Sequence, residues 1–372
     1  MRIFSSMNLI ACVLVAVTGP ALGASRNAHE DCDADDTDRN IAGCTRIVED
    51  AGEGKTMRGV AYVARGLAWE KKGDLDRALA DYTEAIKINP KDALAYNNRG
   101  MLWRERGDSD RAIADFTAAI DINPVPRSDE AYSRRGNAIV AKRGVNVYEN
   151  RALALLERSD FDGALADFDR AINLDPKAAD SFNGRGAAWR GKGDLDRAKA
   201  DFSYAIKLDR THMGAYYNRG LIEVGTGELD LAVADFTAAL RLDSDFVDGY
   251  EARAEAFLAK TDPEHAIADL DQAIRRDPNR ARDYYLRGSI RYDRYMGFLG
   301  GGWIEKEDLE RAIVDFAAAI RFDDKSAAAH YARGLAESTN GHRDRAALDL
   351  AEAVRLEPEN QQFAAALKEI KP

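Results

Sequence analysis

Apolar and small residues return along this chain with a period of 34 residues. From Gly59 onward they fall into two clusters at helical spacing, Tyr62, Gly66 and Trp69, then Ala78, Tyr82 and Ala85. Between the clusters stands Gly73-Asp74, and Pro90 closes the second. The pattern predicts two amphipathic helices per period. Gly73 ends the first, Asp74 caps the second, Asp76 adds favourable charge to its first turn, and Pro90 stops it. Small residues such as Gly66 and Ala78 let the two helices approach closely, while Tyr62, Trp69 and Tyr82 fill the space toward the next pair. One such hairpin cannot bury both of its faces, so the stack is the stable unit.

The next period reads Tyr96, Arg99-Gly100, Trp103, Gly107-Asp108, Ala112, Phe116, Ala119 and Pro124. The motif returns around Arg185-Gly186, Arg219-Gly220, Arg253-Ala254, Arg287-Gly288 and Arg333-Gly334. This pattern resembles the tetratricopeptide repeat (TPR) family, with Arg where that family usually has Leu. The resemblance implies an all-α, right-handed TPR superhelical solenoid of about eight helix-turn-helix repeats with capping helices. The array spans 59–360, as repeats 59–92, 93–126, 145–178, 179–212, 213–246, 247–280, 281–326 and 327–360.

Two segments break the period. Ala131-Tyr132-Ser133-Arg134-Arg135-Gly136 and Tyr148-Glu149-Asn150-Arg151-Ala152 both match a first helix, and only the second keeps the spacing. Within 127–144, residues 129–142 are therefore expected as an extra helix ending at Arg143-Gly144; an equivalent reading is one repeat with a helical insertion. Repeat 281–326 gains twelve residues between Tyr292 and Asp308, including Gly300-Gly301-Gly302. Phe298, Leu299, Trp303 and Ile304 have no slot in the pattern, so this loop either plugs back onto Tyr292, Tyr295 and Met296 or offers an apolar anchor to a partner.

The ends read as caps. In 24–58, residues 40–49 imitate a second helix with Cys44 in the Phe slot, and 361–372 supplies a closing helix with Phe363, Ala366, Leu367 and Ile370 on one side. Residues 1–23 have the form of an export signal, with Arg2, an apolar stretch 9–17 and the small-x-small site Ala21-Leu22-Gly23. A competing reading lipidates Cys12 in Leu9-Ile10-Ala11-Cys12, at the cost of stranding the apolar residues 13–17. Export predicts a periplasmic or secreted protein in which Cys32 and Cys44 form a disulfide that pins the N-terminal cap. Such a loop closure contributes on the order of 3 kcal/mol.

A net charge of -11 and a pI near 5.2 argue against nucleic acid and anionic membrane surfaces, and no stretch is expected to cross a membrane. Each repeat carries Arg in its first helix and Asp in its second, from Arg65 and Asp81 to Arg333 and Asp349, at nearly equal distance from the turn. An internal ion-pair ladder is expected there, with a ligand-gripping stripe as the competing reading. The five histidines are scattered, and His330 takes an aromatic packing slot. No phosphate loop, metal-ligand spacing or nucleophile with an ordered base is present, so neither catalysis, cofactor nor small-molecule ligand is expected.

Family resemblance implies a peptide groove along the concave side, lined by Asn97, Asn98, Met101 and Arg104, then Asn183 and Arg190. Further along, the lining continues with Tyr217, Asn218 and Leu221, then Glu251 and Glu255, Tyr285 and Ser289, and Tyr331. The expected function is a non-enzymatic protein-protein interaction scaffold binding peptide segments or partner proteins; the alternative is a structural subunit of an envelope assembly.

Overall fold

The computed structural model describes residues 26–122, 137–297 and 306–370. Among the described residues there are nineteen α-helices and no strand, so the chain is an all-α solenoid of consecutive packed helices. It divides into two compact units, one up to Asp194 and one from Leu195.

The first unit holds α1 (Arg26–Cys32), α2 (Thr37–Glu49), α3 (Lys55–Lys71), α4 (Leu75–Ile88), α5 (Ala93–Glu105), α6 (Ser109–Ile122), α7 (Asn137–Glu157), α8 (Phe161–Leu174) and α9 (Ala179–Gly191). The second holds α10 (Leu195–Leu208), α11 (Met213–Gly225), α12 (Leu229–Leu242), α13 (Val247–Ala259), α14 (Pro263–Arg276), α15 (Ala281–Tyr295), α16 (Lys306–Phe322), α17 (Ala327–Thr339), α18 (Arg343–Leu356) and α19 (Gln361–Ile370). Within each unit every helix packs on the next.

The turns follow from Gly and Asp. Gly107 sits at φ 76°, a left-handed conformation that costs glycine nothing, and the Asp108 carboxylate then accepts the backbone N–H of Arg111 at 3.0 Å. Ser159 and Thr261 hold the same kind of backbone at φ 59° and 57° without that freedom, at a cost of about 1 kcal/mol or more each. In several hairpins a ring in the second helix explains the glycine opposite. A Cβ on Gly100 would lie 2.8 Å from Phe116, and one on Gly220 would lie 2.7 Å from Phe236.

The arginines join hairpins as well as helices. In the first unit Arg99 donates Nε and Nη2 to the two oxygens of Asp115 at 2.8 Å each, and its Nη1 donates to Thr83 Oγ1 of the preceding hairpin at 3.3 Å. Arg151 does the same with Asp167 and Thr117, and Arg65 with Asp81 and Thr45. In the second unit Arg219 grips Asp235 and Ser203, Arg253 grips Asp269 and Thr237, and Arg287 reaches Asp315 and Asp271. The aspartates are buried, with Asp115 only 6% exposed. The ladder is therefore internal, and Arg65, Arg99, Arg151, Arg219, Arg253 and Arg287 are each a clasp across the joint to the element before. Arg333 grips Asp349, but the hydroxyl slot of the preceding hairpin holds Ala317.

The N-terminal cap imitates a repeat closely. Cys44 is fully buried where most hairpins carry Tyr or Phe, it is disulfide-bonded to Cys32, and Thr45 takes the hydroxyl slot for Arg65. At the other end Phe363 of α19 is buried and stacks on Tyr331. One expectation differs from the structure. The extra helix was to stop at Arg143-Gly144, whereas α7 runs unbroken from Asn137 to Glu157. One glycine inside a helix costs only about 1 kcal/mol, which the packing of α7 on α6 and α8 outweighs. The signal-like residues 1–23 and the loop residues Phe298, Leu299, Trp303 and Ile304 lie outside the described residues.

Replacing Arg219 by Met leaves the buried Asp235 carboxylate without its bidentate partner. Urea unfolding followed by circular dichroism should then show a loss of about 3 kcal/mol, whereas the double variant Arg219→Met/Asp235→Leu should recover most of it.

Candidate functional site

The candidate site is the face formed by the first helix of each hairpin. The clasp arginine points inward to its aspartate, so residues two before, one before and two or five after it border the adjoining first helix. In the first unit α7 touches both α5 and α9. Asn97, Asn98, Met101 and Arg104 lie on α5, Glu149 and Asn150 on α7, and Asn183 and Arg190 on α9, where Ser181 donates to Glu149 across the α7–α9 joint. Asn150 Nδ2 donates to Asn97 Oδ1 at 3.2 Å across the α5–α7 joint. Asn98 is buried behind them at 5% exposure, and Arg104 Nε lies 3.6 Å from Glu157.

Two carboxyls on this side are held close to neutrality. Burial pushes Glu149 up to about 7, against the opposing effect of a hydrogen bond from Ser181 Oγ. Burial likewise pushes Glu70 up to about 7; the Tyr82 hydroxyl, donating at 2.6 Å, opposes the rise and the charge of Glu105 adds to it.

In the second unit the corresponding residues belong to aromatic and ionic clusters. Tyr217 lies edge-on to Phe246 at 4.9 Å and tilted to Phe236 at 5.8 Å, with Leu221 in the same cluster and Asn218 buried beside them. Glu251, 4% exposed, is an internal carboxylate rather than an open groove residue. It pairs with Arg280 at 2.5 Å and with Arg282, whose other amine reaches the exposed Glu255 at 2.8 Å. Burial raises the Glu251 pKa, and the two arginines pull it back. Tyr285 is tilted against Phe316 at 6.1 Å, Ser289 Oγ donates to the Tyr285 carbonyl at 2.9 Å, and Tyr331 is covered by Phe363 at 4.6 Å.

The structure adds Glu149, Asn150, Ser181, Arg280, Arg282 and Asp283 to the residues that sequence alone pointed to. Glu149-Asn150 stands before Arg151 as Asn97-Asn98 stands before Arg99, so motif register could have found that pair. Arg280 and Arg282 lie at a helix start, off the motif positions, and carry no such signal. Among the described residues no three His, Cys, Asp or Glu side chains gather into a metal-binding set, and no helix is long and apolar enough to cross a membrane.

The tetratricopeptide repeat family model matches residues 63–125, 149–198 and 190–245. No curated protein matches the chain. Among solved structures it is similar to a tetratricopeptide repeat protein from Parabacteroides merdae, with 19% identity over 76% of this chain and 99% of that one and a TM-score of 0.52. It is also similar to pilF of Pseudomonas aeruginosa, with 15% identity over 62% of this chain and 99% of that one and a TM-score of 0.52. At these identities the likeness is one of fold.

Glu149 supplies a sign test. Its folded pKa is raised, so the stability it contributes is fully present below about 4.5, the unfolded value, and is lost as pH rises through about 7. Wild-type protein should melt lower at about pH 8.5 than at about pH 5.5. Glu149→Gln, which keeps an acceptor for Ser181, should reduce that difference in differential scanning calorimetry, leaving the part that Glu70 and other raised carboxyls contribute.

Proposed function

We propose that this run of tetratricopeptide repeats is a non-enzymatic scaffold that holds extended peptide segments of other proteins along its first helices. The observation that supports it is the amide row of α5, α7 and α9. Asn97 and Asn150 hold one another across a helix joint, and a side-chain amide offers both a donor and an acceptor, as a peptide backbone does. Met101 and Arg104 beside them can accept side chains of either apolar or acidic character. By the same reading the chain is exported. That inference rests on the signal-like residues 1–23 and on the paired Cys32 and Cys44.

The test starts from peptides selected by display on the chain from residue 24 onward, with affinity measured by fluorescence anisotropy. Binding in the micromolar range, weakened about tenfold or more in Asn97→Ala/Asn150→Ala at unchanged melting temperature, is the expected result. Peptides that bind both proteins equally well would overturn the placement of the site. Permanent association with a partner that survives high salt would favour a structural subunit instead.

A further inference from the structure

Asp283 stands where the fold provides for a small side chain. Four places before the clasp arginine the other hairpins carry Ala, Gly, Ser or Val, as at Ala95, Val147, Ser181, Ala215 and Gly249. Asp283 is 0% exposed, and neither carboxylate oxygen accepts a hydrogen bond. The Arg280 Nε lies 3.6 Å away, too far for one. Arg280 is already engaged, giving Nη1 to Asp248 at 2.6 Å and Nη2 to Glu251 at 2.5 Å. Arg282 spans Glu251 and Glu255. Five acids thus surround two arginines, Asp248, Glu251 and Glu255 from α13, Asp277 at the end of α14, and Asp283 itself.

A buried carboxylate without hydrogen bonds is expensive, and the molecule has two ways to relieve it: protonate the group or let water in. Serine at the matching position of the first unit shows the arrangement that the slot accepts. Ser181 donates its hydroxyl to Glu149, which precedes it by 32 residues, as Glu251 precedes Asp283. A protonated Asp283 is likewise a neutral O–H donor; the ionised form is not.

We propose that Asp283 makes the joint between α13 and α15 a proton-controlled hinge. With the acid protonated, the start of α15 stays seated against α13. With the acid ionised, the joint loosens and water reaches the carboxylate. Burial pushes Asp283 up to about 6, Arg280 opposing this and Glu251 adding to it. Since the folded pKa exceeds the ordinary 3.8, the stabilising contribution is complete below that value and disappears as pH rises through about 6. The hinge requires no ligand and goes beyond the peptide reading; Tyr285 and Ser289 ride on the helix that it moves.

Glu70 and Glu149 titrate in the same range in the first unit, so a global melting curve cannot isolate the hinge. Hydrogen exchange read by mass spectrometry, corrected for the intrinsic pH dependence, reports on α15 alone. In the full chain, amides of 281–287 should exchange about tenfold faster at about pH 8 than at about pH 5. In Asp283→Ala and in Asp283→Asn that difference should vanish while the amides of α11 and α12 behave as in wild type. Wild-type exchange independent of pH in 281–287, or an unchanged pH dependence in both variants, would overturn the proposal. If one variant fails to fold, the other decides, and the wild-type profile is decisive by itself against the hinge.

Discussion

The structure depends on a guanidinium that satisfies two hairpins at once. Five fixed N–H donors allow Arg99 to close a bidentate pair with Asp115 and still reach Thr83 in the hairpin before it. Lysine has no such fork, and leucine would pack without fixing direction. The aspartate must be buried for the pair to be strong, and it is tolerable there only because the pair is complete. Register between neighbouring hairpins is thus set by hydrogen-bond geometry in addition to the fit of rings against glycines.

That division of labour shapes the candidate site. Because the clasp arginines and their aspartates are used up internally, the polarity left on α5, α7 and α9 includes a set of amides, Asn97, Asn150 and Asn183, beside Arg104, Glu149 and Arg190. The second unit spends its equivalent positions differently. Tyrosines lean on the core, and Glu251 is closed over by Arg280 and Arg282. Side chains occupying equivalent slots therefore carry different chemistry in the two units, amide hydrogen bonding in one and an acid-rich ionic network with aromatic edges in the other.

The repeat was legible because each hairpin restates the same local solution, so Gly107-Asp108, Phe116 and Arg99 predict their counterparts without knowledge of the rest. The facing of arginine and aspartate could also be seen, from their equal distance to the turn. The hydroxyl of Thr83 could not, since a threonine in a helix has no distinguishing pattern until its neighbour's arginine arrives. The continuity of α7 was hidden by Gly144, whose local preference is weaker than the packing on either side. Asp283 was invisible for a related reason. A single acid among so many looks like a solvated face, and only its burial shows that it is out of place.

The two ends of the described chain are fastened unequally. α1 and α2 are joined by a covalent bond, and α2 offers Thr45 to the first arginine. The last hairpin, α17 and α18, has an arginine whose third arm finds Ala317 in place of a hydroxyl. A load on the chain, whether from an unfoldase or a translocating motor, would meet a rivet at one end and a weaker seam at the other. Among the described residues, the joint beneath the C-terminal hairpin thus goes without the arginine-to-hydroxyl tie that the joint above the N-terminal cap has.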